Sequence, residues 1–258
     1  MEIAVIGAAR PWAPLAIGRG LRVVGRAVAG DDTGVLGSAG AELVGDYPEF
    51  FERLEFPRIH LLDLPAGAEV DQVIDTAYVT MEPGDVVVDA TPSYWADTLR
   101  RWRRMRHRSI FYLDLAECGG SLLVAGDGRG VDLARPVLER LAGKDRLVVA
   151  GEAGAAHYAA MVRDGVATVL GQAMGEAQQL LEAYPGSLDS AALLPLLGPQ
   201  PAGGGRAGWI LDDALQLHAA VPAMAQAVML RLAEDLDAQE LSAPPQRQGP
   251  FVRPDDLG

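Results

Sequence analysis

The stretch GAAHYAAMVRDGVATVLGQAMGEAQQLLEAY, from Gly154 to Tyr184, determines how the rest of the chain must be arranged. Its apolar residues recur in steps of three and four, which is the period of an α-helix. No proline interrupts the pattern before Pro185, so we predict one helix of about 30 residues and roughly 45 Å. A helix of this length is longer than usual and commonly joins two domains or crosses a subunit interface.

Glycines recur within this predicted helix, at Gly165, Gly171 and Gly175. Each lowers helix stability by about 1 kcal/mol relative to alanine, and close approach of another backbone would compensate for that loss. We therefore predict a homodimer that forms through the helical region. The alternative is a long core helix whose glycines make small packing contacts within one chain.

The amino-acid composition and net charge limit which classes of molecule the protein can bind. The 258 residues suffice for one large or two smaller domains, and with 49% hydrophobic residues the chain can bury a sizeable core. A formal charge of −13 and an isoelectric point near 4.7 argue against nucleic acid, whose phosphates bind clustered Lys and Arg. Six arginines between residues 100 and 108 fit the solvated face of a helix, although such a run could also bind an anion.

The single cysteine, Cys118, excludes an internal disulfide and fits a reducing compartment. The first residues lead directly into a strand and no run of 18 apolar residues occurs, so we expect neither a signal peptide nor a membrane span. We therefore expect a cytoplasmic protein. The four scattered histidines and one cysteine give no recognisable metal site, so no metal is predicted.

Short apolar segments alternate with helical ones through residues 1–152 and give seven predicted strands, with residues 31–40 as a polar turn. This alternation predicts an α/β fold, a Rossmann-like, doubly wound and mostly parallel sheet with helices on both faces. Residues 153–241 contain only helical patterns and are predicted as an all-α C-terminal domain; besides the long helix these patterns cover residues 188–197, 209–220 and 222–239. The polar, Pro-rich residues 242–258 are predicted to form a disordered tail.

The turn after the first strand is where such a sheet binds a dinucleotide, with the pattern G-x-G-x-x-G. The three glycine positions hold Gly7, Ala9 and Trp12 here, and Pro11 removes one N–H donor. In NAD-binding sheets the second strand is followed by an acidic residue that binds the ribose 2′-hydroxyl. Here it is followed by Arg26, which could bind a 2′-phosphate instead. We therefore predict NADP(H) as the cofactor; the alternative is a sheet that no longer binds a dinucleotide. The predicted cofactor-binding residues are Gly7, Ala9, Arg10 and Arg26.

Three further motifs follow along the chain: Asp89-Ala90-Thr91-Pro92-Ser93-Tyr94-Trp95, Cys118-Gly119-Gly120, and His157-Tyr158-Ala159-Ala160-Met161-Val162-Arg163-Asp164-Gly165. They resemble motifs of the 6-phosphogluconate dehydrogenase and β-hydroxyacid dehydrogenase superfamily, in particular the short bacterial form of 6-phosphogluconate dehydrogenase. The family's versions are Asp-Gly-Gly-Asn-Ser-Tyr-Tyr, Ser-Gly-Gly and His-Phe-Val-Lys-Met-Val-His-Asn-Gly. The resemblance covers roughly residues 1–235 and implies a two-domain oxidoreductase that uses a nicotinamide cofactor and a small polar substrate.

The departures from the family pattern affect the residues that carry its chemistry. Ala160 takes the place of the lysine that serves the family as general base, and Asp164 that of the asparagine that orients the substrate. Pro92 replaces the asparagine of the first motif. A lost general base typically costs about 10²–10⁴-fold in rate, so oxidation of 6-phosphogluconate itself is not expected. Imine reductases of the superfamily also lack the lysine, so its absence alone does not abolish redox chemistry.

Two carboxylates could still transfer a proton in the cleft that the resemblance implies. Asp164 lies one helical turn beyond Ala160, and Glu117 adjoins the second motif. Paired carboxylates in a partly desolvated cleft can have their pKa values pushed apart, which gives an acid and a base. The alternatives are a surface Asp164 paired with an arginine and a small buried Cys118. The predicted catalytic residues are Asp164 and Glu117, and the predicted substrate-binding residues are Ser93, Tyr94, Cys118, Gly119 and Gly120.

Three functions are compatible with these residues. The first is a diverged NADP(H)-dependent oxidoreductase, with Asp164 as proton donor or acceptor for an imine or hydroxy acid. The second is a non-redox cyclase, isomerase or lyase that uses Asp164 and Glu117. The third is a pseudoenzyme, a scaffold subunit that kept the fold and the dimer but lost the site.

Overall fold

The structure is a computed structural model and describes residues 1–28, 33–182, 189–193, 195, 225–226 and 228–230. The chain divides into two compact units, Met1–Asp164 and Gly165–Gly258. The described strands are β1 (Glu2–Ile6), β2 (Arg22–Arg26), β3 (Glu42–Leu43), β4 (Ile59–Leu62), β5 (Val86–Asp89), β6 (Phe111–Cys118), β7 (Ser121–Gly126) and β8 (Leu147–Gly151). The described helices are α1 (Trp12–Gly18), α2 (Thr33–Ala39), α3 (Glu49–Arg53), α4 (Ala68–Tyr78), α5 (Trp95–Arg106), α6 (Gly128–Ala142), α7 (Ala155–Glu182) and α8 (Ser190–Leu193).

The described strands form one sheet in the order β3-β2-β1-β4-β5-β6-β7-β8. Neighbours from β3 to β6 are parallel, β6 and β7 are antiparallel, and β7 and β8 are again parallel to each other. The order reverses at β1, where the chain crosses from one half of the sheet to the other. In such sheets the crevice outside the carboxyl ends of the strands at this reversal is the usual ligand site.

Alternate residues of the central strands are buried in two different cores, because successive side chains of a strand point to opposite faces. Ile3 and Val5 of β1 pack in one cluster with residues of α1 and α6. Ala4 and Ile6 pack in the other with residues of α3, α4 and α5. The mostly parallel sheet covered on both faces is confirmed by this arrangement.

The expectation of a turn at residues 31–40 was wrong, because Thr33–Ala39 form α2. Leu36 explains the difference, because it is buried in the cluster with α1 and α6. This burial stabilises a helix that the neighbouring glycines disfavour. The short edge strand β3, paired with Val24 and Gly25, was also missed. Two residues are too few for a periodic pattern to be visible.

The predicted long helix is confirmed as α7. Of the later predicted helices, the one at residues 188–197 is described as α8 over Ser190–Leu193, and residues 225–226 and 228–230 are helical within the last one. The predicted helix at 209–220 and the predicted tail at 242–258 lie outside the described residues.

Candidate functional site

The β1–α1 turn has a backbone that only glycine can adopt at its first position. Gly7 has a φ of +93°, and a Cβ at this residue would lie 2.2 Å from the Asp63 carbonyl oxygen that follows β4. Any side chain would therefore force the carboxyl ends of β1 and β4 apart. The first glycine of the dinucleotide pattern is required by this close approach.

Most backbone donors of the same turn are already used within the protein. Gly7 N–H donates to the carbonyl of Arg26, and Ala9 N–H donates to the carbonyl of Asp63. Arg10 N–H donates to Asp63 Oδ1 at 2.9 Å, and Arg10 Nε lies 4.0 Å from the same oxygen. The Asp63 side chain is buried, so a carboxylate lies against the turn that would meet a pyrophosphate.

Trp12 explains how the turn tolerates a large residue at the third glycine position. Its side chain is buried in the core cluster of the sheet and α1 rather than projecting into the turn, and the Arg10 guanidinium lies 5.4 Å from the ring centroid. Pro11 precedes α1, and no side chain caps this helix end. The indole therefore packs where a glycine would bring helix and strand closer together.

Arg26 ends β2 and is held by an aromatic ring. Its guanidinium carbon lies 4.2 Å from the centroid of Tyr47, an arrangement typical of a cation–π contact. Arg26 and Tyr47 line a pocket of about 250 Å³ together with Glu69, Gln72 and Thr76 of α4. Burial raises the pKa of the Tyr47 hydroxyl, and the Arg26 charge opposes that rise. This pocket lies at the end of β2, where a ribose and its 2′ substituent are bound in sheets of this type.

Ser93 lies in a buried polar network after β5. Its hydroxyl accepts a hydrogen bond from Arg101 Nη1 at 2.8 Å and bonds with the Thr91 hydroxyl. Thr91 in turn donates to Asp89, whose other oxygen accepts a hydrogen bond from Tyr112 at 2.6 Å. Burial, and then the nearby Asp89, raise the pKa of Tyr112, so this hydroxyl remains a donor. In this structure the Ser93 hydroxyl is engaged by protein groups.

Arg101 is the cation of this network, and inspection of the sequence did not single it out from its neighbours. It is buried, lies 3.6 Å from Asp89 Oδ2, and also forms an ion pair with Asp71 at 3.1 Å. Burial acts to lower its pKa, but the hydrogen bonds to Asp71 and the electrostatic effects of Tyr112, Asp89 and Asp71 together raise the pKa above its usual value. Arg101 is therefore a structural charge rather than part of the solvated helix face expected for the arginine run.

Tyr94 precedes α5 and lies in a row of aromatic rings. Its centroid is 5.8 Å from that of Trp95, which lies 5.7 Å from Tyr158 in an edge-to-face arrangement. Tyr158 belongs to the first turn of α7. The aromatic residues of the first and third motifs thus contact one another.

The start of α7 is fixed by Asp114 of β6, a residue that sequence analysis missed. Its carboxylate accepts hydrogen bonds from the backbone N–H groups of Gly154, Ala156 and His157 at 2.7–3.0 Å. Burial raises the pKa of Asp114, and the His157 charge and these bonds act against the rise. A carboxylate at a helix N-terminus is stabilising because the helix dipole is positive there.

The second motif forms a tight hairpin between β6 and β7. Cys118 and Ser121 face each other, and the two linking residues, Gly119 and Gly120, both have positive φ, at 57° and 78°. Two consecutive positive φ values are typical of the two-residue turn that strand twist favours. The chain therefore passes from the second motif directly into β7, with only Gly119 and Gly120 between the two strands.

The third motif places Ala160 against the sheet and Asp164 in a buried position. Ala160 packs with Ala116 and Ala125 and has no exposed surface. Asp164 is 2% exposed and accepts hydrogen bonds from Arg163, at 3.1 Å from Nε and 2.5 Å from Nη2. Asp164 is therefore paired with an arginine, but it is not a surface residue.

These residues fall into separate groups. Glu117, Cys118 and the two hairpin glycines line one pocket of about 440 Å³, together with Arg163. Ser93 belongs to the buried network after β5, and Gly7, Ala9 and Arg10 surround Asp63. Within the residues that are described, no group of three or more His, Cys, Asp or Glu side chains could hold a metal ion. In that same part of the chain, no helix has the length and apolarity needed to cross a bilayer.

A glycine-containing turn after β1 and a mostly parallel sheet that reverses at β1 define a Rossmann-like nucleotide-binding domain. Residues 2–151 match the profile of the NAD binding domain of 6-phosphogluconate dehydrogenase. The chain belongs to this family of nicotinamide-dependent dehydrogenases, which confirms the resemblance stated above.

Individual relatives agree with this assignment. Over 250 residues the chain is 27% identical to YqeC of Bacillus subtilis (strain 168), whose name places it with the 6-phosphogluconate dehydrogenases; the match covers 83% of this chain and 84% of YqeC. The chain is 27% identical to the decarboxylating 6-phosphogluconate dehydrogenase of Salmonella typhimurium (strain LT2) over 83% of its length. It spans only 56% of that longer protein.

Solved structures show the same fold. The 3-hydroxyisobutyrate dehydrogenase of Mycobacterium tuberculosis matches with a TM-score of 0.72 at 20% identity, over 92% of this chain and 94% of that one. An imine reductase from Pseudomonas sp. matches with a TM-score of 0.60 at 16% identity, over 92% and 94% of the two chains.

The residues present fit the adenosine end of a dinucleotide better than they fit its pyrophosphate. The Arg26–Tyr47 pocket offers a cation and an aromatic face at the adenosine end. At the turn, Gly7 permits the close approach that a pyrophosphate needs, but Asp63 already accepts the Arg10 N–H. A pyrophosphate would have to share this turn with a buried carboxylate of the same charge.

Proposed function

We propose that this protein is an NADP(H)-binding oxidoreductase that acts on a small polar substrate and works without a lysine base. The observation that carries the proposal is Arg26, which ends β2 where an acid would favour NAD(H) and is held over Tyr47 at 4.2 Å. A guanidinium in this place can pair with a 2′-phosphate through charge-assisted hydrogen bonds. NADPH should therefore bind more tightly than NADH.

The proton transfer of such a reaction has to use a group other than lysine. The sequence contains a single lysine, Lys144, which is exposed between α6 and β8, while Ala160 occupies the place of the family's base. The nicotinamide would supply hydride transfer. We assign proton transfer to Asp164, with Arg163 holding its carboxylate, and to Glu117 at the β6–β7 hairpin.

Two other functions follow from specific observations. The Asp63 carboxylate at the β1–α1 turn favours a pseudoenzyme or scaffold subunit that has lost cofactor binding. The pocket that contains Glu117 favours a non-redox cyclase, isomerase or lyase using Glu117 and Asp164. For every one of these functions we propose a cytoplasmic homodimer that assembles through the helical domain and binds no nucleic acid.

Titration calorimetry with NADPH and NADH tests the proposed function. We expect NADPH to bind at least about tenfold more tightly than NADH, a difference of about 1.4 kcal/mol. Arg26→Gln should remove most of this preference, whereas Arg129→Gln should not, although Arg129 also lies over an aromatic ring, that of Phe111. Absence of binding of either dinucleotide at millimolar concentration would exclude the oxidoreductase.

A further inference from the structure

The strand β8 forms one edge of the sheet, and among the described residues no strand pairs with its outer side. The Leu122 N–H donates to the carbonyl of Arg146, so the backbone groups of Val148 also face β7. Because the direction of these groups alternates along a strand, the N–H and C=O groups of Leu147 and Val149 point away from the sheet. A further strand can therefore pair with β8.

The side chains of β8 are apolar and exposed on both faces of the sheet. Val148 is 45% exposed and Val149 is 48% exposed, and successive side chains of a strand point to opposite faces. The sequence of the strand, LVVAG over Leu147–Gly151, contains neither a charge nor a proline. An edge strand with these properties is a template for pairing with another chain.

The opposite edge of the same sheet is protected against such pairing. The strand β3 has only two residues, Glu42 and Leu43, and Glu42 accepts hydrogen bonds from the Arg22 guanidinium at 2.8 and 2.7 Å. Short edge strands and charged side chains both discourage pairing with another chain. Because only the β8 edge is open, two copies that pair through β8 form a closed assembly rather than an extended one.

The charges at the two ends of β8 are opposite in sign. Lys144, Asp145 and Arg146 precede the strand, and two cations less one anion give +1, whereas Glu152 follows the strand with −1. All four residues are exposed, and none of them forms an ion pair with another residue that the structure describes. When two β8 strands run antiparallel, the basic end of each copy therefore lies beside the acidic end of the other.

We propose that β8 is an interface between two copies of this chain, in which the two β8 strands pair antiparallel about a two-fold axis at Val148. This register places Leu147 opposite Val149 of the second copy, so that outward-facing groups meet and each pair exchanges both of its N–H···O bonds. The pairing stays within the regular part of the strand, before the shift in register that follows Val149. It also brings Glu152 beside the basic end of the second copy.

This interface lies within the Met1–Asp164 unit and includes none of the residues assigned above to cofactor binding or proton transfer. It is also separate from the helical region through which we propose the homodimer. A contact between two strands of five residues is smaller than a standard interface of about 1,600 Å². The association through β8 should therefore require a higher protein concentration than the helical homodimer.

Because the chain has a single cysteine, disulfide cross-linking of the full chain can test this register. In a Cys118→Ser background, Val148→Cys should form a covalent dimer on mild oxidation, since the axis brings the two positions together as a non-hydrogen-bonded pair. Val79→Cys, at an exposed valine after α4, is the matched control and should not cross-link. Adding Glu152→Lys to Val148→Cys should slow cross-linking about tenfold at low salt, and adding Arg146→Glu as well should restore the rate.

Equal cross-linking of the Val148→Cys and Val79→Cys proteins overturns the proposed interface, as does a Val148→Cys protein that does not cross-link. A rate that Glu152→Lys leaves unchanged, or that Arg146→Glu does not restore, overturns the antiparallel register. Sedimentation velocity at high micromolar concentration provides a second measurement without engineered cysteines. Val149→Lys, which places a charge on the open edge, should reduce the largest species, whereas Val79→Lys should not. Identical distributions for wild type and Val149→Lys overturn the interface.

Discussion

Asp63 Oδ1 accepts the backbone N–H of Arg10 at 2.9 Å, so a carboxylate from the end of β4 fills part of the β1–α1 turn. The two residues are 53 positions apart in the chain. In a dinucleotide-binding turn the free N–H groups face the pyrophosphate. Here one of them is bonded to an internal anion, and we expect this bond to lower the affinity for a dinucleotide.

We expect Asp63→Asn to increase NADPH affinity. Removing one negative charge next to the pyrophosphate should lower Kd on the order of tenfold, since two like charges several ångströms apart repel by about 1–2 kcal/mol at a partly buried site. Asp63→Ala should act in the same direction, because it also releases the Arg10 N–H. Calorimetric titration with NADPH measures both variants.

Asp132→Asn, on the exposed side of α6, is the matched control for charge and should leave the NADPH affinity as it is. If neither Asp63 variant binds NADPH more tightly than the wild type, Asp63 does not oppose the dinucleotide. Thermal denaturation of each variant checks that the turn remains folded.

Arg101→Met should destabilise the fold strongly. Arg101 is the buried cation beside Asp89, and its loss leaves that carboxylate buried without a compensating charge. Removing one partner of a buried ion pair typically costs about 3–5 kcal/mol. Urea denaturation measures this change in the free energy of unfolding.

The control is Arg103→Met, on the same helix but exposed, which should change the free energy of unfolding by no more than about 0.5 kcal/mol. A cost below about 1 kcal/mol for Arg101→Met would show that Asp89 does not depend on this arginine. The measurement separates a structural cation from the exposed arginines of the same run.

His60 should make the protein less stable as the pH falls. It is buried in β4, where burial lowers its pKa to about 4, although Asp85 opposes and Arg58 supports the shift. An unfolded chain protonates this histidine near pH 6.5, whereas the folded chain does so only near pH 4. The contribution of neutral His60 to the free energy of unfolding is therefore fully present above pH 6.5 and is lost progressively down to pH 4. The loss should reach about 3 kcal/mol, at 1.36 kcal/mol per pKa unit.

His60→Leu should remove this component from the dependence of the free energy of unfolding on pH between 4 and 6.5. His107→Leu, at an exposed position, should leave that dependence as in the wild type. Chemical denaturation at several pH values compares the three proteins. Parallel curves for the wild type and His60→Leu would contradict the assignment.

Gly171→Leu should weaken the homodimer that we propose. Gly171 lies within α7, and Val166 and Leu170 of the same helix are exposed apolar residues. A leucine side chain at Gly171 would prevent close approach of a second helix. Sedimentation velocity should therefore show a larger monomer fraction for the variant than for the wild type.

Gly128→Leu is the control, because a Cβ at this exposed position in α6 meets no atom within 4 Å. It should sediment like the wild type. A wild-type protein that is monomeric at micromolar concentration removes the premise of the dimer.

The candidate site could be predicted only in part. Gly7, Arg26 and the Cys118-Gly119-Gly120 turn could be proposed as candidates because local spacing after a strand indicates a turn or a strand end. The sequence pattern contains no sign that Asp63 meets Arg10, that Asp114 caps α7, or that Arg101 is buried. These contacts join residues far apart in the chain, and each depends on how neighbouring strands are paired in the sheet.

The sequence by itself determined the alternation of strands and helices, the mostly parallel sheet and the long helix α7, because hydrophobic periodicity is a local property of the chain. The tertiary structure alone decided which polar groups meet. Strand order and register bring Asp63 to the turn of Gly7, and α1, α6 and the β6–β7 hairpin together form a pocket that contains Arg19 and Arg146. A charge acts through space, so its effect depends on distances that only the folded chain establishes.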